Sequence, residues 1–200
     1  MKSKAFAFAV RIVAVPVLAV SIGALAQTWT CDKLPQSYKG QINAYTPAPL
    51  GSKAPFGPYE IRGPWSLILK RGGTKADFST ELNMILSDGW VLTNGVTPPD
   101  FDPKTRNAHT HHITMTDADV TILATGGFQV VGTATVTLNG GPTPFVQQAA
   151  MTTIVITGGT DVEFSNFSLT FPSTAPASGH FGTLPLPGVV QKVERENGRR

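Results

Sequence analysis

Two stretches of this chain alternate apolar with polar residues and are fenced by glycine pairs. That pattern suits antiparallel strands joined by tight turns and little else. From Lys75 to Leu86, residues Ala76, Phe78, Thr80, Leu82 and Met84 share one parity, while Asp77, Ser79, Glu81 and Asn83 share the other. Gly72-Gly73 precedes this stretch. From Phe128 to Leu138, residues Phe128, Val130, Gly132, Ala134, Val136 and Leu138 alternate with Gln129, Val131, Thr133, Thr135 and Thr137. Gly126-Gly127 leads in and Asn139-Gly140-Gly141-Pro142 leads out, and such residues reach the backbone angles that hairpins demand. A helix over 75–86 competes, because Phe78, Leu82, Ile85 and Leu86 lie near helical spacing. The unbroken alternation favours the strand.

The rest of the chain follows the same rhythm. Trp65–Lys70, Gly89–Val96, His109–Thr116, Val120–Leu123, Gln148–Thr157 and Val162–Phe171 read as further strands, and His180–Val190 as a closing segment. Turns are expected at Arg71–Thr74, Asp117–Asp119 and Gly158–Asp161, and a loop over Thr97–Ala108. In Val162–Phe171 the apolar parity slips by one residue near Ser165-Asn166, which predicts a β-bulge. Gly132 and Ala134 predict a tight bend or a close crossing, as at a barrel corner. The implied fold is all-β, a single antiparallel meander of about eight strands closing into a small β-barrel. In size and architecture it is similar to the lipocalin, dirigent and allene oxide cyclase barrels. A β-sandwich is the alternative. Charged residues make up 14% of the chain and Gly and Pro number 20 and 16, which agrees with a turn-rich β protein.

Residues 1–26 have the parts of an export signal. A basic Met1–Lys4 leads into an apolar stretch, and Ala24-Leu25-Ala26 is a cleavage pattern that sets the mature start at Gln27. The expected location is secreted or periplasmic, with no stable membrane span once the signal is removed. The organisation then reads as residues 27–58, an extended Pro-rich segment; 59–191, the barrel; and 192–200, a polar tail. The formal charge of +3 belongs to the leader. Loss of Lys2, Lys4 and Arg11 leaves thirteen basic residues against thirteen acidic ones, so nucleic acid is not an expected partner. Cys31 is the only cysteine and excludes an internal disulfide.

Three of the four histidines fall in His109-Thr110-His111-His112. On a strand, His109 and His111 share a face with Ile113 and Met115, and His112 takes the other face. If Ile113 and Met115 point inward, the pair lies at a barrel mouth. An H-x-H pair supplies two imidazoles to zinc or another divalent first-row metal. A third ligand must come from elsewhere, with His180, Asp100, Asp102 or Glu81 as candidates and His180 the best chemical match. The cupin spacing fails, because Met115 and Thr116 stand where an acid is needed. General acid–base work by His109 or His111 with Asp100 or Asp102 is a further option. No G-x-S-x-G elbow is present, and the glycine pairs lie between strands, where a phosphate loop would lead into a helix.

The leading expectation is a barrel that binds a small, mostly apolar ligand, with His109, His111, Asp100 and Asp102 at the ligand. The rival is a metal- or His-dependent enzyme using His109, His111 and His180. The third reading is a structural or surface protein without a small-molecule site. Phe128, Phe164, Phe167, Leu169 and Phe171 suit either a packed interior or a ligand cavity, and packing is favoured.

Overall fold

The computed structural model describes residues 30–46, 59–70, 72–86, 108–124, 126–142, 151–157, 163–175 and 177–195. The expected leader, the strand over 89–96, Asp100 and Asp102 lie outside these residues. Eight strands run in chain order: β1 (Ser37–Tyr45), β2 (Tyr59–Leu69), β3 (Lys75–Leu86), β4 (His109–Ile122), β5 (Phe128–Val136), β6 (Met151–Thr157), β7 (Asn166–Thr170) and β8 (Leu186–Glu194). Each pairs antiparallel with the next, and β8 pairs with β1, so the sheet is a closed barrel. A one-turn 3-10 helix (Cys31–Lys33) precedes β1, and a short helix α1 (Ser178–Phe181) lies between β7 and β8.

Period-2 alternation builds the wall. On β3 the even-numbered residues from Ala76 to Leu86 are all buried, and the odd-numbered ones are exposed or half-buried. Tyr38, Ile42 and Ala44 do the same on β1, as do Ile61, Trp65, Leu67 and Leu69 on β2. The interior is filled. Trp65 stacks on Phe167 at 4.2 Å between ring centres, and Phe167 lies 6.0 Å from Phe78. Leu67, Leu82, Ile113, Phe128, Val130 and Leu169 are each 0% exposed, which leaves no water-sized space beside them. Gly40 is required here, because a Cβ on it would collide with the Val189 carbonyl and the Trp65 indole.

Several expectations need correction. Of the segment 27–58, expected to be extended, residues 30–46 are described. Ser37–Tyr45 is a barrel wall, hydrogen-bonded to β2 on one side and β8 on the other. β2 begins at Tyr59 instead of Trp65. At the other end, β8 runs through Lys192 and Val193 to Glu194, three residues into the expected tail, because β1 offers an edge for them to pair with. Asp117–Asp119 is not a turn between two strands. β4 is continuous and takes up extra chain as a bulge, with Asp117 at φ 60° and its N–H donating to the Asp77 carboxylate at 2.8 Å. Phe164 is not in the core. Its φ of 65° turns the ring outward, 76% exposed, just before β7 starts at Asn166. That is the physical form of the expected parity slip. The close crossing at Gly132 is present, since a Cβ there would lie 2.6 Å from the Ala118 Cβ.

The two poles of the barrel differ. β2–β3 and β4–β5 are each joined by 5 residues and β6–β7 by 8, all at one pole. β1–β2, β3–β4, β5–β6 and β7–β8 are joined by 13, 22, 14 and 15 residues at the other. Long connections on a rigid scaffold are where function concentrates. β4 begins with His109 at this second pole, and α1 carries His180 there.

Candidate functional site

Two elements deliver the site. β4 alternation sends His109 and His111 inward with Ile113 and Met115, and His112 outward. His111 is buried, and His109 is half-buried nearer the mouth. The 15-residue connection from β7 to β8 folds back as α1 and lays His180 over both. α1 is anchored by Phe181, which is 0% exposed and stacks on Phe171 at 4.7 Å. A Gly182 at φ 83° ends the turn.

The imidazoles converge on one point. His111 Nε2 lies 3.0 Å from His180 Nε2, and His109 Nε2 lies 3.3 Å from the same atom. The three potential ligand atoms all fall within 4.8 Å of one another. Zinc–nitrogen bonds of about 2.0–2.1 Å put neighbouring ligand nitrogens of a tetrahedron about 3.3 Å apart. The two closest separations are of that size.

The tautomer of His111 is fixed. Its Nδ1 lies 2.8 Å from the Thr137 carbonyl, which can only accept, so Nδ1 carries the proton and Nε2 presents its lone pair. A proton on His180 Nε2 can point squarely at one neighbour but not at two. A cation at the centre would satisfy all three nitrogens together. Burial lowers the pKa of His111 from 6.5 to about 4, with the nearby His109 adding to the effect and the Thr137 hydrogen bond opposing it. Burial, with His111 and His109 beside it, lowers His180 to about 3. Both are therefore neutral near pH 7, the state a metal ligand needs.

Aromatic rings surround the cluster. Tyr59 meets His109 edge-on at 5.5 Å and lies 6.4 Å from His180. Phe181 meets His111 at 5.0 Å. Glu81, expected as a possible third ligand, is not in the site. It lies on the outer face of β3 and pairs with the outward His112 at 2.7 Å. Asp100 and Asp102 lie outside the described residues. Thr137 and Tyr59 were not anticipated from sequence. Thr137 acts through its backbone carbonyl, for which no side-chain signal exists. Tyr59 opens β2 on the inward parity of Ile61, a signal available only once that strand start is known.

Fold and site together define a closed eight-stranded antiparallel barrel with a three-histidine cluster at its mouth. No protein-family model, curated protein or solved structure matches the chain.

Proposed function

We propose that the protein is an exported barrel that holds a divalent first-row metal, zinc first among them, through His109, His111 and His180. The observation that carries this reading is the convergence of three imidazole nitrogens within 4.8 Å of one another, with two of the separations, 3.0 and 3.3 Å, close to tetrahedral spacing, from residues 69 and 71 positions apart in sequence. Three protein ligands leave a coordination position for water or substrate, the arrangement of catalytic rather than structural zinc. The chemistry such a centre supplies is Lewis-acid activation of a bound water or carbonyl. Around it, the Thr137 carbonyl orients His111, Phe181 fixes α1, and the packed interior backs the site with apolar side chains.

The test is metal content. Untagged wild type purified without chelator is expected to carry one metal per chain, and the His109→Ala, His111→Ala double variant almost none. Equal, substoichiometric metal in both sinks the reading. Added zinc is expected to stabilise the native state by about 2.7 kcal/mol at one hundred times its dissociation constant.

A small apolar ligand is the second reading. It draws on a concavity of about 360 Å³ in which Met84, Ile85 and Ala108 meet six polar residues, Glu60, Arg62, Asn83, His109, Thr110 and Asn139. The filled interior argues against binding deep in the barrel. Native mass spectrometry of the purified protein separates the two, by the mass of an organic ligand or of a metal.

A further inference from the structure

Resting on the metal reading, we infer that the open position of the three-histidine centre selects a small monoanion over a neutral ligand of the same shape. Every ligand the described residues contribute is an imidazole, neutral when it coordinates. A divalent ion in that cluster keeps both its positive charges. Among the described residues, little offsets them. His111 is 1% exposed, and Phe171 and Phe181 behind it are 1% and 0% exposed. Glu81 is turned to the outer face and committed to His112. Glu60, at the rim, is held by Arg62 at 2.9 Å.

Uncompensated charge beside low-dielectric walls is costly, and an anion in direct contact is the shortest route to reducing it. The approach is from the mouth side. His109 and His180 are half-buried while His111 is buried, so the accessible edge of the cluster runs between the first two. Tyr59 borders that edge without presenting a formal charge. A carboxylate, azide or hydroxide matches the charge of the centre. The position suits the carboxylate group of a substrate or an anionic nucleophile equally, and the charge requirement is the same for both.

The experiment uses the full mature chain loaded with cobalt(II), whose visible bands report coordination. Acetate and acetamide, nearly identical in shape and different in charge, are titrated separately, with azide as a second monoanion. The expected result is a saturable one-to-one spectral change with acetate and with azide, at concentrations at least tenfold lower than any change with acetamide. Equal responses to acetate and acetamide, or bands that no anion alters, overturn the inference while leaving the metal site standing. A protein carboxylate already on the metal would give the second outcome. Failure to take up cobalt overturns both.

Discussion

At the scale of single residues, the site is a balance between burial and charge. In the unfolded chain His111 and His180 take up protons near pH 6.5, and in the fold only near 4 and 3. Between those values the unfolded state binds more protons, so the metal-free protein is expected to lose stability as pH falls from about 6.5 toward 4. Urea midpoints at pH 7, 5.5 and 4 check this, and His180→Phe should weaken the decline. A wild-type profile as flat as that of the variant would contradict it. With metal present, His180→Ala should weaken zinc binding by more than the ~10–100-fold typical of losing an outer-shell partner, as measured by competition with a chromophoric chelator. Much of this site was legible before the fold was known. The i, i+2 spacing and the shared parity with Ile113 and Met115 place His109 and His111 together and send His112 away. His180 could be proposed only on chemistry, because Gly179 and Gly182 around it read as a loop rather than a turn of helix. Glu81 was readable as outward, since it shares the polar parity of Asp77, Ser79 and Asn83.

Among elements, β4 does the most. One strand carries the histidine pair at its start and a bulge near its far end, where Lys70 bridges Asp77 and Asp117 at 3.0 Å each. The bulge resets parity, so Met115 and Ala118 both face inward. Asp117 tolerates φ 60° because its short polar side chain suits that region, and a β-branched residue would not. Asp117→Val is therefore expected to cost about 1–2 kcal/mol, read from urea unfolding, with zinc stoichiometry unchanged because the bulge lies far along the strand from His109. A turn and a bulge share the same residue preferences, which is why Asp117-Ala118-Asp119 looks like a strand end in sequence. β1 was hidden differently. Tyr38, Gly40, Ile42 and Ala44 alternate with Lys39, Gln41 and Asn43, but prolines on both sides and a glycine at the centre mask the pattern. That glycine is what lets Trp65 lie across the interior. Gly63 has an equivalent role on β2, where a Cβ would collide with the Glu81 carbonyl. Gly63→Ala should destabilise by about 1–3 kcal/mol through overpacking, and a neutral effect in thermal unfolding would show that the β2–β3 spacing is looser than described.

For the whole molecule, closure is the decisive property. The β1–β8 seam joins the first strand to the last, and Ser37 donates to the Glu194 carboxylate across it at 2.9 Å. Removing Lys192 onward should unpair the start of β1 and leave an open edge, a template for self-association. Size-exclusion chromatography is expected to show oligomers, and a monomer with unchanged stability would mean that the last residues of β8 are dispensable. The seam also fixes a direction. The start of β1 and the end of β8 lie side by side at the pole of short hairpins, away from the histidines. A surface or partner domain joined through either flank would hold the molecule like a cup by its foot, with the opening turned toward the medium and small solutes reaching it without passing the anchor.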